Sequence, residues 1–552
     1  MISNRRYIFL LVLVLLVYIA GMFVTLMEND SAQFAVMAMR MYQENDFINL
    51  IKGSEEYLDK PHMHYWLAAL SFKLFGLHDW AYRIPGVLVV LLGAYSCFGL
   101  GKLLYNRDTG KLAALIFMTA QTIMLAVNDL RTDAVLTGFT IFAIWQLAVY
   151  MEKGSLLSIV LGTLGAGLAF STKGQIALLV IGLAVLSHLS YTRKWNRLLH
   201  WKAIIALLVF FLAIAPMLCA YYHQFDLHPE KIIRGRGERS GIFFIFWEQS
   251  FERLSGSGMG SNSSDYFFFF HTFLWVFIPW TVLGIVAVVT RIRTFIKLRF
   301  AYRKGHEFLT LGAITAFFLI ASFSQFKLPH YLNIIIPLVS VLTASYFNGL
   351  YVMSRKKLIK VFLIVQYVLL SIVFIAVLLI CFYVFRFDSV WASGALILCL
   401  MGVTYFCLKN ENYYLRIITL SVCGSLLLNA VMNLHFYPNL LTYQAGSEMA
   451  KLVSEKNIPV KDIYKLSDRH TWSLDFYNRN PVSPITIDEL PSKHKIWVYA
   501  NDAELRKLQD QGFDWDRQYS KSNFRITRLN GKFLNPSTRK RSLEKMHLVH
   551  IY

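Results

Sequence analysis

Charged residues are scarce in this chain, 16% of 552, and acidic ones are scarcer: 34 Asp and Glu stand against 55 Lys and Arg. In a soluble protein the resulting net charge of +21 would suggest nucleic acid. No helix-turn-helix, zinc-finger or RNA-binding motif accompanies it, however, so nucleic-acid binding is set aside. Cysteine is sparse as well. Cys97, Cys219, Cys381, Cys399, Cys407 and Cys423 all fall within or at the ends of apolar runs, without CxxC or metal-ligand spacing, which excludes a disulfide framework and a thiolate metal site. Walker and Rossmann motifs are missing, since Gly99-Leu100-Gly101-Lys102 closes an apolar run and lacks the strand-loop-helix context of a phosphate loop. The chain also lacks internal repeats, which counts against an inverted-repeat transporter or flippase for a lipid-linked sugar.

Apolar length is what the chain has in excess. Hydrophobic residues make up 56% of it, against roughly 45–50% in soluble domains. About thirteen runs approach bilayer-spanning length, starting near Tyr7, Ile84, Leu112, Ala134, Leu156, Gln175, Lys202, Phe267, Thr310, Tyr331, Ile359, Val390 and Leu415. The expected class is an all-α membrane fold of about thirteen transmembrane helices, followed by a small soluble α/β domain. Gly446 to Lys456 has helical spacing, while Asp462 to Leu466 and Lys495 to Ala500 read as strands. The organisation is therefore 1–435 for the membrane domain, with long loops at 27–83 and 221–266, and 436–552 for the tail domain.

The short connections alternate in charge. Arg5/Arg6, Lys102/Arg107/Lys111, Arg193/Lys194/Arg197, Arg291 to Lys304 and Arg355 to Lys360 are basic and are assigned to the cytoplasm. The first run has no small-x-small cleavage site and reads as a retained anchor. Both long loops and the tail then face outward, and the expected location is a bacterial inner membrane with chemistry on the periplasmic side.

Several ionisable groups collect on that outer side. Asp30 stands where the first run ends, and Asp133 starts a later one after Asn128-Asp129-Leu130-Arg131-Thr132. A carboxylate at a membrane edge marks a functional position, although capping a helix start would also place one there. Lys60, in Asp59-Lys60-Pro61-His62-Met63-His64-Tyr65-Trp66, is suited to hold a phosphate as a point charge, or to anchor the interface beside Tyr65 and Trp66. His62 and His64 have HxH spacing but lack a third ligand. Lys173, Lys327 and Arg131 add cations at outward edges. Together with the carboxylates they point to a phosphorylated substrate.

In this order the motifs resemble the GT-C glycosyltransferases of the protein O-mannosyltransferase and lipid A aminoarabinose transferase type. The likeness runs through Asp30 with Phe34 and Ala35, Asp59-Lys60-Pro61, Tyr65-Trp66-Leu67, Arg83-Ile84-Pro85, Arg131-Thr132-Asp133, Thr172-Lys173-Gly174, Pro279-Trp280 and Lys327-Leu328-Pro329-His330-Tyr331, covering about Met1 to Leu434. It implies that Asp30 is the principal catalytic carboxylate, that Asp133 supports the site, and that Lys60 and Tyr331 bind the carrier phosphate. Two positions depart from the family pattern: Asp30-Ser31 where many relatives have Asp-Glu, and Glu248-Gln249 where Glu-His is expected. The second removes a metal-binding histidine and leaves Asp59 as the remaining candidate ligand for a divalent metal; no cofactor is required.

The implied reaction moves a sugar from a polyprenyl-phosphate donor to an acceptor with inversion. Cations stabilise the phosphate that leaves, and a hydroxyl acceptor needs a base, the role given to Asp30. A lipid A phosphate acceptor would need extra positive charge, which Arg234, Arg236, Arg239, Lys231 or Arg253 of the second loop could supply. Expected partners are thus the lipid-linked donor, membrane lipids, and lipid A or a secreted protein as acceptor.

Overall fold

The computed structural model describes residues 2–255, 264–303, 305–387, 389–409, 412–467, 469–492 and 495–551. Lys304 and the side chains of Arg253, Cys399 and Cys407 lie outside this described set.

Among the described residues nine helices are long and apolar enough to cross a membrane, from Asn4–Met22 to Tyr413–Leu441. A tenth span is the pair Arg107–Thr119 and Gln121–Asn128, bent by 54°. The remaining runs expected from sequence are the shorter helices Leu309–Phe323 and Thr281–Lys297, the latter preceded by Phe268–Val276, and the helix Val390–Leu408. All of these helices but Val390–Leu408 contribute to one continuous apolar core, and that helix packs Leu400 against a separate cluster of Val377, Cys381, Leu427 and Val431. Small residues bring them close: a Cβ on Gly138, in helix Thr132–Lys153, would sit 2.2 Å from the Val89 carbonyl of helix Asp79–Leu104. With lipid as apolar as the side chains, such backbone approach and interhelical hydrogen bonds hold the bundle. Asn128 donates to Asn433 at 2.7 Å, and Asn429 exchanges hydrogen bonds with Gln121.

The first long loop is largely helical. Asp30–Glu44 and Met63–Phe75 flank a two-stranded hairpin of Ile51–Lys52 and Glu55–Glu56. Both helices bury one side against the bundle end and each other, with Phe34 edge-on to Tyr65 at 5.6 Å.

The tail forms a five-stranded sheet in the order Ser483–Pro484, Ile463–Lys465, Ile496–Asn501, Glu544–Ile551, Trp515–Asn523. The first three strands are parallel and the last two pair antiparallel. Alternation along Ile496–Asn501 sends Ile496, Val498 and Ala500 to one face, with Leu505 and Leu508, and Trp497 and Tyr499 to the other, with Met449 and Val453 of helix Ala445–Glu455. A helix at Trp472–Asn478 leaves the sheet and places Trp472 and Phe476 in the core of the membrane domain.

Candidate active site

At the bundle end that carries the long loops, two cavities meet. The first, about 250 Å³, is polar and is lined by Asp30, Asp59, Lys60, Arg131, Asp133, Lys173, Arg234, Gln249 and Tyr331, among others. The second, about 320 Å³, is apolar and runs between helices along Leu136, Ile176, Leu179, Phe269, Phe317 and Ile320. Asp133, Lys173, Gln249 and Tyr331 line both, so they form the shared wall.

Local geometry explains how these side chains arrive there. Asp30 is the first residue of its helix, where the free N–H groups favour a carboxylate. Its Oδ2 lies 2.9 Å from Arg131 Nη1, and Arg131 also binds Asp129 Oδ2 at 2.6 Å. Burial works against the Arg131 charge, but Asp129 and Asp30 outweigh it and raise the guanidinium above its ordinary value. Asp133, in the first turn of helix Thr132–Lys153, is buried and receives a 2.5 Å hydrogen bond from Lys173 Nζ, while His330 Nε2 stands 3.7 Å from its other oxygen. Lys173 ends its helix because Gly174 adopts φ +73°, a left-handed conformation that lets the chain turn at once into the next helix. The ammonium of Lys173 also lies 4.9 Å from the Tyr331 ring centroid.

Lys60 follows the hairpin and faces the polar chamber. Its neighbour Asp59 has its carbonyl bound by Gln249 Nε2 at 2.6 Å and its carboxylate 3.3 Å from Arg234. The departure at Gln249 thus gives a direct strap between the two long loops.

Of the sequence-derived candidates, Asp30, Asp133, Lys60, Tyr331, Lys173, Arg131, Arg234 and Asp59 converge on the polar chamber. Lys327 lies off its wall, 5.3 Å from the Tyr266 ring. Arg239 is buried away from the chamber and paired with Glu248 at 3.0 Å and Glu252 at 2.8 Å, and Arg236 is exposed on its loop. Glu252 also binds Arg234 at 3.0 Å, and Lys231 pairs with Glu56 at 2.7 Å. The second-loop cations are therefore largely neutralised by carboxylates of the protein itself. Glu248 and Glu252 stand four apart, where two like charges repel each other, and the guanidinium of Arg239 between them offsets that repulsion.

Sequence reasoning passed over Gln33, Lys52 and Glu252, which complete the polar lining. Gln33 lies one turn after Asp30, so the helical period alone could have found it. The HxH pair binds no common centre. His62 Nε2 is 2.7 Å from the Ile48 carbonyl, His64 Nε2 is 2.9 Å from the Tyr82 hydroxyl, and burial pulls both imidazoles down to about 4. Among the described residues no three of His, Cys, Asp and Glu are grouped to hold a metal ion. Asp59 faces Arg234 instead.

Fold and site together define a multi-pass helical membrane protein in which a polar and an apolar cavity meet at one end. Residues 59–219 match the profile of the dolichyl-phosphate-mannose-protein mannosyltransferase family. The chain superposes on ArnT from Cupriavidus metallidurans in the apo state with a TM-score of 0.72, at 16% identity, covering 98% of this chain and 97% of that one. The same protein bound to undecaprenyl phosphate gives 0.72 over 99% and 98%. In sequence it is 25% identical over 334 residues to undecaprenyl phosphate-alpha-4-amino-4-deoxy-L-arabinose arabinosyl transferase 2 of Proteus mirabilis, covering 58% of this chain and 55% of the relative. It is 26% identical over 314 residues to the corresponding transferase of Pseudomonas paraeruginosa, covering 55% and 52%. The chain spans about half the length of the curated relatives it matches.

Proposed function

We propose that the chain is a glycosyltransferase that moves a sugar from a polyprenyl-phosphate carrier to an acceptor, with inversion. The observation that carries this reading is the shared wall. A polyprenyl chain in the apolar cavity puts its phosphate against Lys173 and Tyr331, with Lys60 across the polar chamber and the sugar toward Asp30. Departure of the sugar leaves charge on the carrier phosphate, which preset cations stabilise with little reorganisation. Lys173 delivers only part of its charge, since Asp133 binds it; Asp133 serves to hold that ammonium in place. The similarity to undecaprenyl-phosphate-dependent transferases supports the same donor class.

Charge balance bears on the acceptor. The polar chamber has five Lys and Arg against four Asp and Glu, and Arg239 is already committed to Glu248 and Glu252. One donor phosphate nearly neutralises this site, which favours a hydroxyl of a secreted protein or glycan, with Asp30 accepting its proton. The likeness to the arabinosyl transferases favours a lipid A phosphate instead, for which Asp30 orients the groups. The basic turns at Arg193 to Arg197 and Arg355 to Lys357 lie at the far ends of helices that start or finish beside the chamber. By the positive-inside rule this supports a chamber facing away from the cytoplasm, the periplasm if the membrane is a bacterial inner one.

The test compares lipid A masses and periplasmic glycopeptides in a strain lacking the gene and carrying either wild type or Asp30→Asn. A sugar increment present only with wild type identifies the acceptor and supports Asp30. Equal pools in both strains, with both proteins well expressed, would refute Asp30 catalysis.

A further inference from the structure

Asp30 opens its helix, so its position is set by residues 23–29, a stretch without regular secondary structure. Fixing such backbone costs conformational entropy, so something must hold it. From the membrane side Arg83, fully buried, donates to the carbonyls of Met22 at 3.0 Å, Val24, and Asn128 at 2.8 Å. One guanidinium thereby ties the Asp30 approach to the loop that carries Arg131.

The other side of the segment is held by the tail domain. Gln444 works as a two-point clasp: its Oε1 accepts from Glu28 N at 2.9 Å and its Nε2 donates to the Leu26 carbonyl at 2.9 Å. The Tyr477 hydroxyl accepts from Leu26 N at 2.8 Å and donates to Asp79 Oδ1 at 2.5 Å, one turn before Arg83. The Glu28 carboxylate takes both the N–H and the hydroxyl of Ser473 at 2.8 Å. Trp472 and Phe476 anchor the same helix in the membrane-domain core, with Phe476 6.0 Å from Phe72. These tail-domain contacts converge on Leu26 and Glu28, four and two residues before Asp30, where a merely tethered domain would make none.

We infer that the tail domain is a positioning element of the active site: through Gln444, Ser473 and Tyr477 it fixes the segment from which the Asp30 helix starts. The inference rests on the proposed role of Asp30. A displacement of about 1 Å at a reacting group costs on the order of a hundredfold in rate, while the walls that bind the carrier phosphate are supplied by other elements. Loosening the clasp should therefore slow transfer and spare phosphate binding.

Two measurements on full-length protein test this. Initial transfer rates are taken in native membranes, with their own lipid-linked sugars as donor, and undecaprenyl phosphate affinity is measured on purified protein. Gln444→Ala and Tyr477→Phe should each cut the rate about 10- to 100-fold while changing undecaprenyl phosphate affinity less than about twofold. Ser473→Ala, which leaves the N–H to Glu28, should act in the same direction but less. Leu508→Ala, on the far face of the sheet, is the control for simple destabilisation of the domain and should keep its rate. The inference is overturned if the clasp variants transfer at the wild-type rate, or if Leu508→Ala, matched for loss of thermal stability, slows transfer equally. Asp30→Asn run alongside separates the two readings. If it is inactive while the clasp variants are not, only the clasp falls; if it transfers normally, the catalytic reading falls and takes the clasp with it.

Discussion

Asp475 offers a test of the tail domain that is independent of catalysis. Its carboxylate is buried three residues from the end of helix Trp472–Asn478, accepting hydrogen bonds from Thr471 Oγ1 and Val482 N, both at 3.0 Å. Burial pushes it up to about 7, against the pull of Val482, Lys465 and Thr471, and the nearby Glu28 carboxylate adds to the rise. Unfolded, it titrates near 3.9. Between about pH 4 and pH 7 the folded domain holds a proton that the unfolded chain has lost, so stability falls as pH rises across that window and levels off above it. Asparagine keeps the Oδ1 acceptor and never charges. The advantage of Asp475→Asn over wild type should therefore widen by about 2–3 kcal/mol between pH 5 and pH 8, roughly 30- to 150-fold in amide protection. Hydrogen exchange of peptides across 463–482, corrected for intrinsic rates, reads this local opening directly. A gap that stays constant with pH, or narrows as pH rises, refutes the reasoning.

Asp30→Asn should lower transfer by about 10²- to 10⁴-fold with undecaprenyl phosphate binding retained, as measured by rate and affinity on the same preparation. Lys173→Met leaves Asp133 buried without its nearest cation and should destabilise the protein by about 3–5 kcal/mol. The double variant with Asp133→Asn should regain thermal stability and stay inactive. Gly174→Ala puts a Cβ at φ +73° and 2.8 Å from Gln249 Oε1, so it should lower the melting temperature and weaken undecaprenyl phosphate binding. Gln249→Ala, which frees the Asp59 carbonyl, should likewise weaken undecaprenyl phosphate binding, read as a higher Kd.

Apolar run length made the helices legible, because a bilayer demands a fixed length whatever the neighbours. The bent pair at Ala120 read as one span, since hydropathy averages over a bend. Asp30, Lys60, Asp133 and Tyr331 were readable through the order of short motifs, each at a helix start or loop edge. What stayed hidden was partner choice. The arginines of the second loop are visible as charge, yet whether they meet substrate or Glu248 and Glu252 depends on how the loop folds. Gln444, Ser473 and Tyr477 give no periodic or motif signal at all, because their partners Leu26 and Glu28 lie more than four hundred residues away.

That separation has a consequence for the making of the protein. Synthesis runs from the N-terminus, so the Asp30 segment leaves the membrane long before Gln444 to Tyr477 exist. Until the tail has folded, Arg83 and the apolar neighbours of Val24 hold residues 22–24, and the contacts from Gln444, Ser473 and Tyr477 are missing. A nascent or truncated chain can have every span inserted and still lack a fixed Asp30. On the proposed role of Asp30, transfer would begin only when the tail domain docks, and completion of the fold would act as the on-switch.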